Sequence, residues 1–185
     1  MTEAQPRGED AGPTERRAAA DRLLEAHGAE LRGYCRAMLD EQEAADVLLA
    51  VFGYVEEHGI EGPLAGPDAR LTLLAVTHNR CIERSRTGGR PPRGAGRSAD
   101  EAEAIRALAQ LRPMGRGMVL LRAVLGLGWH ELERVSGKPR RRVLQRVTGA
   151  WRRISALTGG ERRDPDLDGG APLDERPETW ARIRA

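Results

Sequence analysis

Aromatic residues and cysteines are scarce in this sequence. Its 185 residues include one Phe, two Tyr and three Trp, which together make up 3% of the chain. Because sheet cores rely on aromatic and β-branched side chains, this scarcity favours aliphatic helical packing, and we expect an all-α fold. The two cysteines, Cys35 and Cys81, are too few for a disulfide framework and lack the spacing of zinc ligands. We therefore expect a protein of the reducing cytoplasm.

Long apolar runs and an excess of one charge are also missing. Nowhere do about 18 apolar residues follow one another, and residues 1–17 contain no apolar stretch. We therefore expect neither a membrane span nor an export signal, and no membrane partner. The 30 basic and 28 acidic residues give a formal charge of +2. Net charge alone thus does not indicate a nucleic-acid partner.

Residues typical of catalytic centres are scattered. The four histidines lie far apart along the chain, at His27, His58, His78 and His130. The sequence contains no glycine-rich phosphate loop, no set of metal ligands and no nucleophile with an evident base. We therefore expect a protein that is not an enzyme, with no catalytic residue, no metal, no cofactor and no small-molecule substrate.

One stretch concentrates positive charge. Between Glu133 and Glu161 there is no carboxylate, while eight basic residues lie in that interval. Within it, residues 136–139 (Ser-Gly-Lys-Pro) separate two helical segments, because Gly adopts the left-handed conformation that ends a helix and Pro suits the first turn of the next. The pattern predicts a helix-turn-helix motif whose basic side chains meet the phosphates of DNA.

The second helix of this motif is expected to bury one face and expose another. At about 100° per residue, the residues predicted to share the buried face are Val143, Val147, Ala150, Trp151 and Ile154. The residues predicted to lie opposite are Arg141, Gln145, Thr148 and Arg152. An arginine-rich helix that is merely solvated is the alternative interpretation.

Seven residues of this motif are the candidates for DNA contact: Lys138, Arg140, Arg141, Arg142, Gln145, Arg146 and Arg153. We expect phosphate contacts from Arg140, Arg141 and Arg153. We expect base-edge contacts from Arg142, Gln145 and Arg146, because arginine favours guanine and glutamine favours adenine.

Helical periodicity and chain breaks divide the sequence. Amphipathic helices are predicted over residues 17–38 and from Asp40 to Gly59, and Asp68 is placed to cap a third helix that ends near residue 86. The stretch TGGRPPRGAGR, which begins at Thr87, has no apolar set able to form a core. The predicted parts are a disordered N-terminus (1–16), a helical domain (17–86), a flexible basic linker (87–99), the helix-turn-helix domain (100–157) and a disordered tail (158–185).

The second half carries short motifs in an ungapped register. They are Leu111, Arg116, Leu121-Arg122, Gly126-Leu127-Gly128, Glu131-Leu132-Glu133, Ser136-Gly137, Arg142-Val143, Arg146 and Gly149-Ala150. In this register the chain resembles a sigma-70 family RNA polymerase sigma factor of the small extracytoplasmic-function class. The resemblance covers roughly residues 23–157. It implies that the helix-turn-helix domain is region 4-like, with its second helix in the major groove of the minus-thirty-five element.

The first half is similar to region 2 of that family. The matching residues are Ala44-Ala45-Asp46, Val47-Leu48, Leu49, Ala50 and Val51-Phe52, followed by Thr72-Leu73 and Val76-Thr77-His78-Asn79. Leu49 and Ala50 replace the Gln and Glu of the family, and Thr72 replaces its Trp. The resemblance implies core-polymerase contacts from Asp46, Leu49 and Ala50. It also implies minus-ten or linker DNA contacts from Asn79, Arg80, Arg84 and Arg86.

Two functions follow from the resemblance. The first is a sigma factor-like initiation protein that binds core RNA polymerase and directs it to promoter DNA, with an anti-sigma factor as a further partner. The alternative is a degenerate sigma-like regulator that binds DNA or protein without melting promoters, because the altered region 2 lacks polar and aromatic residues that strand opening uses. Recruitment of core polymerase discriminates between the two.

Overall fold

A computed structural model describes residues 12–58, 64, 66–92 and 99–158, and every regular element in these ranges is helical. The predicted all-α class is confirmed. The helices are α1 (Pro13–Met38), α2 (Glu41–His58), α3 (Ala69–Arg86), α4 (Ala99–Ala109), α5 (Pro113–Val119), α6 (Trp129–Ser136) and α7 (Arg140–Thr158). The predictions for residues 1–11 and 159–185 lie outside the described residues.

The first helix is longer than its apolar pattern predicted. It begins at Pro13 rather than at residue 17, so the prediction of disorder up to residue 16 is wrong for its last four positions, 13–16. Proline has the backbone angle of a first helical turn and needs no hydrogen-bond acceptor there, so it starts a helix ahead of the first apolar residue.

The second and third helices begin differently. Oδ1 of Asp40 accepts a hydrogen bond of 3.0 Å from the backbone N–H of Glu43, which caps α2. Asp68 precedes α3 as predicted, but its side chain makes no capping hydrogen bond. Asp68 thus occupies the predicted N-cap position, but its carboxylate binds the Arg134 guanidinium of α6 instead of a backbone N–H of α3, with an Nη2–Oδ2 distance of 2.8 Å.

The predicted linker starts with an ordered segment. The backbone N–H of Arg90 donates to Oε2 of Glu43 at 2.7 Å, and the carbonyl of Arg90 accepts from the N–H of Asp40 at 3.1 Å. Pro92 is buried. Residues 87–92 are thus fixed against the start of α2, while residues 93–98 of the predicted linker lie outside the described residues.

A π-helical turn connects α5 to the segment before α6. Pro113 begins α5, and at Leu120 the helix widens into the turn Leu120–Val124. The N–H of Leu125 then donates to the carbonyl of Leu120 at 3.1 Å, and Gly126 follows with a φ of 70°. Such turns occur mostly as short insertions in α-helices, and this one ends the most hydrophobic stretch of the chain.

The buried side chains form one cluster that spans the predicted domain boundary. It extends from Leu31 and Met38 in α1 through Leu74 in α3 to Val147 and Ile154 in α7. Helix α3 packs against both α5 and α6, while α4, α5 and α6 all pack on α7. The structure therefore does not confirm a division into two separately packed domains. Within the described ranges, no helix combines the length and apolar character that a bilayer span requires.

Candidate nucleic-acid interface

Helix α6 is fixed by a buried apolar face. Trp129, Leu132 and Val135 are buried, as their helical spacing requires. At the start of the helix, the backbone N–H of Gly128 donates to Oε2 of Glu131 at 2.6 Å, which satisfies a donor that the helix itself leaves open.

The turn between α6 and α7 follows from its residue types. Ser136 Oγ donates to the carbonyl of Leu132 at 2.6 Å and accepts from the N–H of Lys138 at 3.3 Å. Gly137 ends α6 in the left-handed conformation, with a φ of 62°. The carbonyl of Pro139 accepts from the N–H of Arg142 at 2.8 Å and so belongs to the first turn of α7. The helix end and helix start that the sequence predicted here are both present.

The inward face of α7 is wider than predicted. Val143, Val147, Ala150 and Ile154 are buried and Trp151 is half-buried, in agreement with the predicted apolar face. Thr148 is buried as well, so its assignment to the exposed face is wrong. Three helices, α4, α5 and α6, pack on α7, and together they bury an arc broader than the apolar residues alone define.

The remaining side of α7 and the turn before it form a basic face. We use this name for the seven predicted DNA-contact residues, all of which are exposed: Lys138, Arg140, Arg141, Arg142, Gln145, Arg146 and Arg153. Among the described residues, none of its arginines forms an ion pair. Arg134 on α6 differs, because its hydrogen bond to Asp68 raises the pKa of the guanidinium and lowers the pKa of the carboxyl. The basic face thus presents uncompensated positive charge to an external acidic partner.

The residues that the resemblance assigns to polymerase contact lie on an exposed part of α2. Asp46, Leu49 and Ala50 are all exposed, and the Leu49 residue is 73% exposed. The Gln42 amide donates to Oδ1 of Asp46 at 3.1 Å, one helical turn away. Val47 and Val51 of the same helix are buried in the core, while this exposed part of α2 combines an apolar side chain with a carboxylate at the surface.

The four predicted DNA contacts on α3 are not equivalent. Asn79 and Arg86 are exposed, and Arg80 is half-buried. Arg84 Nε lies 3.4 Å from Oε1 of Glu43 on α2, so its charge is already partly compensated. The structure therefore leaves Asn79 and Arg86 as the residues of this set with the most accessible side chains.

A buried polar group between α1, α3 and α5 was missed by the sequence analysis. The Tyr34 hydroxyl and His78 Nδ1 share a hydrogen bond of 2.6 Å, and Arg116 is only 3% exposed. Burial lowers the pKa of His78 to about 4 and raises the pKa of Tyr34. Two sequence signals bear on Arg116: its place in the motif register of the second half, and its position just before the apolar residues 117–121, where an arginine is unexpected.

The described residues contain no group of three or more His, Cys, Asp or Glu side chains able to hold a metal ion. Comparison of the chain with protein-family models, curated proteins and solved structures found no match.

Proposed function

We propose that this chain is a sigma factor-like transcription initiation protein that binds core RNA polymerase and directs it to promoter DNA. The observation that carries the proposal is the basic face, which consists of six cationic side chains and one glutamine exposed on one helix and the turn before it. None of these cationic side chains forms an ion pair with another described residue. The rest of α7 is anchored in the core, so the helix presents these side chains from a fixed backbone.

The dimensions of α7 suit a DNA groove. Its 19 residues give a helix about 28 Å long. The major groove is about 12 Å wide and admits an α-helix whose side chains reach base edges. Arginines without an intramolecular partner release counterions when they meet phosphates, so binding is expected to weaken steeply as salt rises.

The exposed part of α2 supports the polymerase contact. Leu49 and Asp46 supply two things that a protein contact uses: an exposed apolar side chain that gains from burial, and a charge that selects the partner. The resemblance in the first half assigns the same residues, Asp46, Leu49 and Ala50, to that role.

The test is reconstitution with core RNA polymerase. The full chain is expected to co-elute with core enzyme, and the complex is expected to retain a promoter duplex in a salt-sensitive manner. A chain with Arg141→Ala, Arg142→Ala and Arg146→Ala is expected to co-elute equally well but to lose the duplex. Absence of co-elution at low salt would exclude the sigma factor function.

A second candidate is a regulator that binds DNA without recruiting polymerase. It is favoured by the apolar Leu49 and Ala50 at positions where the family has polar residues. This candidate predicts duplex binding by the free chain, loss of that binding in the same triple variant, and no co-elution with core enzyme.

A further inference from the structure

The contact between α5 and the helices α1 and α3 is unusually polar for a core. We call it the polar seam and define it by Tyr34, Cys35, His78, Cys81, Arg116 and Gly117. All six residues are buried. The seam separates α1 and α3 on one side from the group of α4 to α7, which pack on one another through α7.

The two sides of the seam approach closely at Gly117. A Cβ atom at this position would lie 2.7 Å from Cε1 of His78 and 2.8 Å from the hydroxyl oxygen of Tyr34. Both distances are shorter than a van der Waals contact, so glycine allows α5 to approach α1 and α3 this closely with His78 and Tyr34 in their present positions. A larger residue requires either α5 or the buried side chains of Tyr34 and His78 to shift.

Arg116 is buried in the seam without a compensating charge. Among the described residues no carboxylate pairs with it, and its Nε has no hydrogen-bond partner. Its ionisable neighbours are Tyr34 and Cys81, which are neutral because burial raises the pKa of Tyr34, and a hydrogen bond with Cys35 together with burial raises the pKa of Cys81. A buried guanidinium without a counter-charge opposes the packing that buries it.

The other polar contacts across this boundary are partly open to solvent. Arg134 of α6 pairs with Asp68, and both side chains are about half exposed. Arg70 of α3 donates from Nη2 to the carbonyl of Leu125 at 3.4 Å, while its ion pair with Glu30 of α1 lies on one side of the boundary. Ion pairs that water and salt can screen add little to docking, so apolar burial must outweigh the cost of Arg116.

We propose that α4 to α7 undock from α1 and α3 through the polar seam under native conditions, and that Arg116 sets the frequency of this opening. Undocking places the guanidinium in water and exposes the thiols of Cys35 and Cys81, whose sulfur atoms lie 3.8 Å apart in the docked state. It also frees α7 and its basic face from the first three helices. The inference goes beyond the proposed function, because it holds whatever the basic face binds.

The test is the rate at which the two thiols of the full chain react with iodoacetamide, assigned by mass spectrometry. Rates are measured across a urea series below the unfolding midpoint and compared with global unfolding followed by circular dichroism. We expect labelling in the absence of urea at least tenfold faster than global unfolding permits, with a weaker dependence on urea, because the opening exposes only part of the core.

Substitutions at the seam test whether the labelling rate reports opening of the polar seam rather than a motion elsewhere in the chain. Arg116→Met removes the charge and keeps the apolar stem, and we expect labelling at least tenfold slower. Arg112→Met, at an exposed position just before α5, is the matched control and should leave the rate unchanged. Gly117→Ala should accelerate labelling.

Three results would overturn the proposal. The first is labelling that follows global unfolding at every urea concentration. The second is an Arg116→Met chain that reacts as fast as the original or faster. The third is an Arg116→Met chain that does not fold, since the guanidinium would then stabilise the docked state.

Discussion

At the scale of single residues, the arginines of the basic face differ in direction although they are neighbours in sequence. Arg141 and Arg142 are both exposed, but consecutive helical residues are about 100° apart, so one is placed to meet the DNA backbone while the other looks into the groove. Arg146 lies one turn beyond Arg142 and shares its side. Exposure of all three is what both roles require.

We therefore predict two classes of effect on DNA binding. Arg141→Ala should weaken binding to all duplexes alike and lower the salt slope by about one, whereas Arg142→Ala and Arg146→Ala should each cost roughly 1 to 3 kcal/mol on the preferred sequence alone. The measurement is a salt titration with a duplex selected from random sequences and with its scrambled version. Arg32→Ala, an exposed arginine on α1, is the control. Unchanged binding by all three variants would identify the basic face as a solvated surface.

His78 should make stability depend on pH. Its pKa is about 4 in the folded chain because burial disfavours the charged ring, whereas the ordinary value is 6.5. The unfolded chain therefore takes up the proton first, and stability is lost as pH falls from about 6.5 towards 4. The loss reaches roughly 3 kcal/mol at the lower limit.

Urea unfolding between pH 7.5 and 4.5 measures this loss. His78→Gln should remove most of the pH dependence in that window, whatever its effect on stability at pH 7.5. His130→Gln is the matched control, because the imidazole of His130 is 87% exposed. Equal pH slopes for the original chain and the His78→Gln chain would contradict the prediction.

At the scale of elements, α2 contributes one face to the core and exposes another to solvent. Val47 and Val51 are buried in the core, while Asp46 and Leu49, one and two residues from Val47, are exposed to solvent. Replacement of the exposed pair should therefore leave the packing of α2 intact. The same separation allows its binding role to be tested without unfolding the chain.

We predict that the double variant Asp46→Ala and Leu49→Ala binds core RNA polymerase at least tenfold more weakly, with unchanged helicity by circular dichroism. The loss is expected because both an apolar contact and a charge are removed from the same surface. Glu56→Ala, at another exposed position of α2, is the control. Undiminished pull-down of polymerase by the double variant would rule out this part of α2 as the contact.

At the scale of the whole molecule, the predicted linker favours cleavage of the chain, whereas the shared core favours association of the resulting fragments. Residues 93–98 carry no apolar set, so the sequence still predicts that a protease reaches them first. Residues 87–92 are instead held by the hydrogen bonds of Arg90 to Glu43 and Asp40. Cleavage should thus fall late in the predicted linker.

Limited trypsin digestion is expected to cut after Arg93 or Arg97 before it cuts after Arg86. The two fragments should then co-elute in gel filtration, because the buried cluster extends from α1 to α7 and holds them together. Mass spectrometry of the first products and of the co-eluting peak checks both statements. First cleavage inside residues 68–84 would contradict the linker assignment, and separate elution would contradict the shared core.

The sequence by itself determined the local structure. Helical periodicity predicted the aliphatic faces of α1 and α2, and the Ser-Gly-Lys-Pro stretch predicted the end of α6 and the start of α7. Helical periodicity also predicted which side of α7 carries the arginines. These features follow from interactions within a few residues, namely backbone preferences at glycine and proline and the repeat of 3.6 residues per turn.

The tertiary structure alone decided how the two halves meet. No local pattern shows that the Asp68 carboxylate binds Arg134 rather than a backbone N–H of α3, that Thr148 is buried, or that Arg116 lies beside Tyr34. The partners in these contacts are separated by tens of residues and belong to helices whose mutual packing the periodicity of each helix leaves open. Burial of a residue depends on every helix that packs on it, and only the assembled core fixes that set.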